Sequence, residues 1–237
     1  MNLRADGVFI VTGGAGALAD AVAAVFGAGG ARLVLVDRAS EALRERAAAR
    51  GAVPLAVDLA DPGETNAMAV DVETSVGPVA GLIHTAGAFA MAPAATADAT
   101  LYDRMLDANV RTLVNATQAV LPAMLARGDG FIAGVSSNVV WEGSGAASMS
   151  IYAAAKAAVA FYLRSVEREV RGAGIRVAIV YPLSAIDTPA NRRAMPDADP
   201  AGWVDPVAIA EALLFAATRG PRGRLSELPI GVAGERR

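Results

Sequence analysis

The chain alternates short, uninterrupted apolar runs with longer helical segments, and this alternation limits the folds that it can adopt. Strands buried on both faces of a parallel sheet read as continuous apolar runs, whereas half-exposed strands alternate. Such runs predict strands at 8–11, 32–37, 53–57, 80–83, 131–135, 175–180 and 227–232. Helices are predicted at 17–28, 40–50, 62–76, 101–126, 152–171 and 205–218. The pattern therefore predicts an α/β fold, a doubly wound parallel sheet with right-handed crossovers and helices on both faces.

Length and composition narrow the class of protein further. A chain of 237 residues fits one domain covering 1–237. The net charge of −3 lacks the basic footprint of nucleic-acid binding, and the absence of cysteine with a single histidine argues against a disulfide framework or a transition-metal site. The uncharged stretch 74–97 is long enough to span a membrane, but glycine, proline and polar residues interrupt it. We expect a cytoplasmic protein, because the N-terminus leads almost directly into a strand without a signal peptide.

A glycine-rich turn joins the first predicted strand to the first helix. Gly14, Gly16 and Ala19 fit the spacing G-x-G-x-x-G/A, in which glycines permit a tight turn and the close approach of a pyrophosphate. Backbone N–H groups and the helix dipole then hold the phosphates. Asp37 ends the second strand, where a carboxylate can bond the adenosine ribose hydroxyls. The combination predicts a dinucleotide site, although Asp37 can alternatively cap the following helix.

The charges beside this turn bear on the choice of cofactor. A carboxylate at Asp37 repels a 2′-phosphate and favours NAD. Arg38 follows directly and can instead pair with that phosphate. We therefore predict NAD as the favoured cofactor and keep NADP as the alternative.

Lys156 is the only lysine of the chain, against 20 arginines. An ammonium is a compact point charge, whereas a guanidinium is a planar fork, so the two are not interchangeable. Tyr152 precedes Lys156 by four residues, which places both on one face of a helix. A nearby ammonium favours the phenolate, so we expect a lowered Tyr152 pKa and a phenol suited to proton transfer. A solvated surface pair is the plain alternative for this spacing.

The motifs resemble those of the short-chain dehydrogenase/reductase family, in the expected order and over nearly the whole chain. The turn from Thr12 to Ala19 is similar to the family's T-G-x-x-x-G-x-G, and Asp58 to its acidic residue after the third strand. His84-Thr85-Ala86-Gly87 stands at its N-N-A-G. The remaining matches are Asn109, Ser136-Ser137, Tyr152 with Lys156, and the segment from Pro182 to Thr188.

The resemblance implies a Rossmann fold and an NAD(P)-dependent oxidoreductase. Tyr152 is then the general acid/base, and Lys156 binds the nicotinamide ribose and activates Tyr152. Ser137, or its neighbour Ser136, binds the substrate oxygen, and Asn109 holds a relay water. The implied cofactor-binding positions are Gly13, Gly14, Gly16, Ala17, Leu18, Asp37, Arg38, Asp58, Leu59, Ala86, Gly87, Tyr152, Lys156, Pro182, Ile186 and Thr188.

The chain also departs from the family pattern. Alanine replaces two turn glycines at Ala17 and Ala19, His84 replaces an asparagine, and Leu183 replaces the glycine after Pro182. We expect His84 to be a satisfied buried residue rather than a catalyst. The spacing of 15 from Ser137 to Tyr152 is longer than usual, so the intervening loop is expected to bulge over the site.

The implied substrate is a secondary alcohol or ketone, with a substrate loop at about 184–204 that overlaps an inserted loop at 189–206. Apolar residues expected to line its pocket are Phe89, Met91, Trp141, Met149, Leu183 and Met195. The resemblance also suggests a homodimer or homotetramer that uses the Tyr152 helix and the helix before it. Two other functions remain open: a catalytically silent nucleotide-binding regulator or scaffold, and a sugar-nucleotide epimerase or dehydratase, against which the short C-terminal part argues.

Overall fold

A seven-stranded parallel sheet forms the centre of the molecule. The computed structural model describes Leu3, residues 7–220 and residues 222–233. The strand order is β3-β2-β1-β4-β5-β6-β7, and every neighbouring pair is parallel. The strands are β1 Val8–Thr12, β2 Arg32–Asp37, β3 Val53–Ala56, β4 Val79–His84, β5 Gly130–Val135, β6 Ile175–Pro182 and β7 Glu227–Ile230. This architecture confirms the predicted doubly wound sheet.

Nine α-helices in the described part of the chain connect and cover these strands. They are α1 Ala17–Ala28, α2 Glu41–Arg50, α3 Pro62–Asp71, α4 Ala99–Leu106, α5 Thr112–Arg127, α6 Asn138–Trp141, α7 Ser150–Val170, α8 Pro189–Ala194 and α9 Pro206–Ala217. The α2 boundaries follow the sequence signals, since Ser40 Oγ accepts from the Leu43 N–H at 3.2 Å and Gly51 ends the helix at φ 62°. Each helix within the described ranges is too short or too polar to cross a membrane.

Alternating side chains of the strands build a core on each face of the sheet. Phe9 and Val11 of β1 point to the layer that contains Phe26 of α1. Val8 and Ile10 point to the opposite layer, which α3, α5 and α7 supply. The central strands are buried on both faces, which explains why they read as unbroken apolar runs.

The prediction that all strands are buried on both faces is wrong for the two outer ones. β3 and β7 lie at opposite edges of the sheet, and their residues are exposed or half-buried. An edge position also accommodates Pro54, because proline lacks the N–H that a strand in the middle of a sheet needs for its hydrogen bonds. β7 ends at Ile230, two residues earlier than predicted.

Two predicted helices contain a wider turn, and one predicted loop contains a helix. α3 continues as a π-helical turn over Val72–Val76, and the helix predicted at 101–126 consists of α4, a π-helical turn at Asp107–Arg111, and α5. The stretch 189–206 is not merely a loop, because Thr188 caps α8 through the Asn191 N–H at 3.1 Å.

The topology fixes where a ligand can bind. β1 lies between β2 and β4, so the chain winds outward from β1 in both directions. In such sheets the crevice lies beyond the carboxyl ends of the strands at this switch point. The loops after β1, β2, β4, β5 and β6 all meet at that edge.

Candidate active site

The turn between β1 and α1 forms the floor of the cleft. Gly13 adopts φ +70°, and a Cβ there would lie 2.9 Å from the Ala86 backbone nitrogen, so a side chain does not fit. Gly14 has a different role from the one predicted, because it does not line the cleft. Its N–H donates to the Val36 carbonyl, and a Cβ would meet Leu35.

The N-terminus of α1 is left open toward the cleft. Side chains cap α2, α3, α4, α8 and α9, whereas Gly16 at the start of α1 provides no side-chain cap. Gly16, Ala17, Leu18 and Ala19 line the cleft here. The uncapped N–H groups and the positive end of the helix dipole together suit the binding of an anionic group, such as a pyrophosphate.

Asp37 lies beside this turn rather than capping the next helix. Its Oδ2 accepts from the Ala15 N–H at 3.0 Å and its Oδ1 from the Arg38 N–H at 2.8 Å. Ser40 is the cap of α2, so the alternative cap role of Asp37 is wrong. Arg46 fixes the turn from the other side, because its Nε donates to the Ala15 carbonyl at 2.9 Å.

The half of the cleft beside Asp37 has a volume of about 650 Å³. We call it the adenosine half, after the part of the cofactor that the sequence predicts there. The Asn115 amide holds its far wall by donating to the Leu59 and Ala60 carbonyls at 2.9 and 3.1 Å. The sequence-predicted residues that line this half are Gly13, Gly16, Asp37, Arg38, Asp58, Leu59, Ala86 and Gly87.

The adjoining half of the cleft has a volume of about 490 Å³ and shares Gly13, Gly16 and Gly87 with the first. The remaining sequence-predicted residues that line it are Ala17, Leu18, Ser137, Tyr152, Lys156, Pro182, Ile186 and Thr188. The structure thus brings residues from seven separate segments, between Gly13 and Thr188, to one elongated cleft.

Tyr152 lies in the wall of the second half, in contact with Phe89. The two rings meet edge to face with centroids 4.9 Å apart. Burial raises the pKa of Tyr152, and a hydrogen bond with Ser137 partly offsets this. The prediction that Lys156 lowers the pKa of Tyr152 is therefore wrong for the protein without a cofactor. The Lys156 Nζ lies 5.9 Å from the ring centroid, and the loss of hydration on burial outweighs its charge.

The two neighbouring serines differ in their hydrogen bonds. Ser136 Oγ donates to the Lys156 carbonyl at 2.9 Å and is buried, so it holds β5 against α7. Ser137 lines the cleft, and its Oγ donates to Asn138 Oδ1 at 3.0 Å. Both serines are buried and line the cleft, but the Ser136 hydroxyl is engaged by the backbone of α7, whereas the Ser137 hydroxyl is engaged by the adjacent Asn138 side chain. Sequence reasoning missed Asn138, whose one signal is its position directly after Ser137.

Lys156 is buried, with 8% of its surface exposed, and this excludes the solvated surface pair. Its Nζ donates to the Val135 carbonyl at 3.0 Å. Burial lowers the pKa of Lys156 to about 8, because the charged form loses its hydration.

Asn109 lies behind the cleft, in the π-helical turn, and is 1% exposed. Its Nδ2 donates to the Ala88 and Met105 carbonyls, and its Oδ1 accepts from the Ala88 N–H at 3.3 Å. The amide therefore ties the segment after β4 to the helix. Gly87 permits this packing, since a Cβ there would lie 2.7 Å from Asn109 Oδ1 and 3.3 Å from Lys156 Nζ.

His84 is a satisfied buried residue, as predicted. Its Nδ1 lies 2.9 Å from Thr12 Oγ1 and its Nε2 lies 3.2 Å from Thr112 Oγ1. Burial and the charge of Lys156 lower the pKa of His84 to about 3, so the ring is neutral. The imidazole thus links β1, β4 and α5, at the position where the family has an asparagine.

A buried serine that sequence reasoning missed fits a bound dinucleotide. Ser184 lines the second half of the cleft, and its Oγ is buried without a hydrogen-bond partner among the described residues. A buried hydroxyl without a partner is costly unless a ligand supplies one. The open helix N-terminus and this orphaned hydroxyl both match the polar groups of a nicotinamide dinucleotide.

Three residues expected in the substrate pocket are not part of its lining. Trp141 packs on the buried Tyr181, with ring centroids 5.2 Å apart, and lines a separate groove beside α7. The loop that contains Trp141 was expected to bulge over the site, but Trp141 itself packs away from the cleft. Leu183 faces Gly231, and Met91 is exposed outside the lining.

Comparison with known proteins agrees with this geometry. A family model described as short chain dehydrogenase matches residues 7–199. An uncharacterized oxidoreductase of Staphylococcus aureus is 26% identical over 239 residues, covering 97% of this chain and 99% of that protein. The inactive 2-(S)-hydroxypropyl-CoM dehydrogenase 2 of Xanthobacter autotrophicus is 33% identical over 174 residues, covering 72% of this chain and 75% of that protein.

Solved structures share the fold over almost the whole chain. A metagenomic short-chain oxidoreductase in complex with NADP has a TM-score of 0.82 at 26% identity, covering 95% of this chain and 97% of that chain. A short-chain dehydrogenase from Streptomyces avermitilis has a TM-score of 0.83 at 25% identity, covering 97% and 89%. Sequence motifs, sheet topology and relatives agree that this chain belongs to the short-chain dehydrogenase/reductase family of oxidoreductases.

Proposed function

We propose that the protein transfers a hydride between a nicotinamide cofactor and a secondary alcohol or ketone, with Tyr152 as general acid/base. The observation that carries this proposal is the convergence of Tyr152, Ser137 and Lys156 in one wall of the cleft. The cofactor, when bound, supplies the hydride, and the protein supplies geometry and proton transfer.

Each residue has a separate task in this proposal. In the direction of ketone reduction, the Tyr152 hydroxyl donates its proton to the substrate oxygen as negative charge develops there. Ser137 turns from Asn138 and donates a second hydrogen bond to the same oxygen. Lys156 binds the nicotinamide ribose and stabilises the tyrosinate that remains.

The raised Tyr152 pKa suits this direction, because a protonated phenol is the required acid. In alcohol oxidation Tyr152 must lose its proton, and the positive charges of Lys156 and of an oxidised nicotinamide favour that loss. Asn109 positions the Ala88 segment beside them, and we propose that its remaining oxygen lone pair holds a relay water.

Replacement of the phenol tests the proposal. Tyr152→Phe is expected to lower kcat/KM by about 10²- to 10⁴-fold, the typical contribution of a positioned acid/base, while the affinity for cofactor is retained. Tyr102→Phe is the matched control, since Tyr102 is exposed on α4 outside the cleft. Equal turnover by Tyr152→Phe and the parent would refute the acid/base role. A parent without turnover on a broad panel would favour the silent regulator instead.

We further propose that NAD is preferred over NADP. Asp37 lines the adenosine half and presents a carboxylate where the 2′-phosphate of NADP would lie. Arg38 is exposed beside it and supports the opposite preference, as does the NADP complex of the metagenomic relative. Titration of both cofactors against the parent and Asp37→Asn decides the matter. This variant removes the negative charge, together with one of the two backbone N–H bonds that the carboxylate accepts, so its NADP affinity should rise relative to its NAD affinity. Tighter binding of NADP than of NAD by the parent would contradict the proposal.

We also propose a cytoplasmic homodimer or homotetramer that pairs through α5 and α7. Phe161 on α7 is 64% exposed and Leu125 on α5 is 44% exposed. Large apolar side chains exposed on these two helices favour a contact between subunits. Light scattering coupled to size exclusion measures the mass, and Phe161→Glu is expected to lower it. A monomeric parent would contradict this assembly.

A further inference from the structure

The two halves of the cleft differ sharply in charge. The adenosine half is lined by five charged residues, namely Asp37, Arg38, Asp58, Arg104 and Asp107. Among the described residues that line the second half, Lys156 alone carries a formal charge. A substrate that binds in the second half therefore meets an environment almost free of charge.

Lys156 is not available to pair with a charged substrate. Its Nζ is buried, donates to the Val135 carbonyl and lies beneath the Tyr152 ring. On the outer side of the loop that follows β6, Arg192 is taken up by a two-fold contact with Asp187 at 2.6 and 2.7 Å. An anionic group in the pocket would thus lose its hydration without gaining an opposite charge.

The mouth of this half is apolar and incompletely covered. Phe89 is 57% exposed and Met195 is 38% exposed, and Met149 faces the same space. Large apolar side chains beside a concave site gain free energy when a hydrocarbon covers them.

The walls that carry these side chains are tied together without a ligand. The Ala92 N–H donates to the Ser148 carbonyl at 2.8 Å, which joins the segment after Phe89 to the segment before Met149. Ser148 adopts φ 60°, a conformation that non-glycine residues rarely hold unless their surroundings enforce it. The pocket is therefore preformed rather than assembled around the substrate.

We propose that the substrate is an uncharged ketone or secondary alcohol with an apolar substituent, which lies against Phe89, Met149 and Met195, and that carboxylates and phosphates are excluded. The proposal rests on the proposed function, because it assigns the substrate class of the same site.

A pair of ketones that differ in one charge tests the inference. Methyl 5-oxohexanoate and 5-oxohexanoate have the same carbonyl and nearly the same length. With the parent enzyme and the preferred cofactor, kcat/KM is expected to be about 100-fold or more higher for the ester, since the pocket offers the carboxylate no partner. Equal reduction of acid and ester, within about threefold, would overturn the inference.

A charge introduced at the mouth should change this preference in a defined way. Met195→Arg is expected to raise kcat/KM for the acid by about tenfold and to lower it for the ester, because a guanidinium pairs with a carboxylate. Met195→Leu keeps an apolar side chain and should keep the parent's preference. If the ratio of kcat/KM for the acid to kcat/KM for the ester is the same in Met195→Arg as in the parent, the substrate binds elsewhere and the inference is wrong.

Binding separates this inference from the proposed reaction. Calorimetry of acid and ester against the enzyme with the oxidised cofactor, which has no hydride to give to a ketone, reports selectivity without turnover. Ester binding without reduction would refute the proposed function and leave the substrate class standing. Reduction of both compounds alike would support the reaction and refute the substrate class. Failure of every ketone to bind would refute the substrate class irrespective of turnover.

Discussion

Replacement of Lys156 by methionine is expected to stabilise the fold and to abolish its activity. The pKa of Lys156 falls from 10.5 to about 8 in the folded protein because of burial. Each unit of pKa corresponds to about 1.4 kcal/mol, so the buried ammonium costs the fold roughly 3 kcal/mol at neutral pH. The variant also loses the hydrogen bond to the Val135 carbonyl, which offsets about 1 kcal/mol of the expected stabilisation. The net gain of about 2 kcal/mol should raise Tm by about 4–8 °C in a domain of this size.

The pH dependence of this gain has a definite sign. Because the folded-state pKa lies below the unfolded-state value, the cost of the charge is complete below pH 8. It fades as the pH rises toward 10.5, where the amine is neutral in both states. The stability advantage of Lys156→Met should therefore shrink between pH 8 and pH 10.

Activity should change in the opposite direction. Lys156→Met removes the ammonium that stabilises the tyrosinate, so kcat/KM is expected to fall by about 10²-fold or more. Lys156→Arg keeps the charge, but the larger planar group does not fit beside Gly87 and Asn109, so activity should fall there too.

Urea unfolding and initial rates measure both effects on the same samples. Arg222→Met is the control, because Arg222 is exposed in the segment before β7 and its loss should change neither quantity. A Lys156→Met variant that is less stable than the parent below pH 8 would refute the burial argument. Near-normal turnover by that variant would refute the role of Lys156 in proton transfer.

Three further substitutions have defined outcomes. His84→Asn loses the bond to Thr112 and also removes the buried ring, whose folded-state pKa of about 3 lies below its ordinary 6.5. Only the parent must keep an imidazole neutral, so its advantage in free energy of unfolding should narrow by about 1.4 kcal/mol per pH unit as the pH falls below 6.5. A constant difference would argue against a buried neutral ring. Gly87→Ala forces Asn109 or Lys156 to move, so kcat should fall by about tenfold or more, whereas Gly202→Ala, in open space, should have no effect. Ser184→Ala should stabilise the cofactor-free protein by about 1 kcal/mol, because it removes a buried hydroxyl without a partner, and should weaken cofactor binding by about fivefold in calorimetry. Unchanged affinity would show that this hydroxyl does not meet the cofactor.

Features encoded by local sequence could be predicted. The turn from Gly13 to Gly16 is specified by glycines between a strand and a helix, and helical spacing alone places Tyr152 and Lys156 on one face. The central strands are buried on both faces, so their apolar runs carry an unambiguous signal.

Features that depend on distant contacts could not be predicted. The raised pKa of Tyr152 arises from burial to which Phe89 contributes from 63 residues earlier. Trp141 is drawn away from the cleft by the ring of Tyr181, which belongs to another strand. β3 carries an apolar sequence although it lies at the edge, because edge position is set by topology rather than by composition.

Transfer of isotope from cofactor to product tests the central claim most directly. The nicotinamide is labelled with deuterium at C4, in separate samples for each face, and the enzyme reduces a neutral ketone in ordinary water. We expect deuterium on the carbinol carbon of the alcohol from one of the two labelled cofactors, and formation of this labelled alcohol at least about 100-fold more slowly when Tyr152→Phe replaces the parent. An alcohol whose carbinol hydrogen comes from solvent, or labelled cofactor that is never consumed, would contradict hydride transfer at this site.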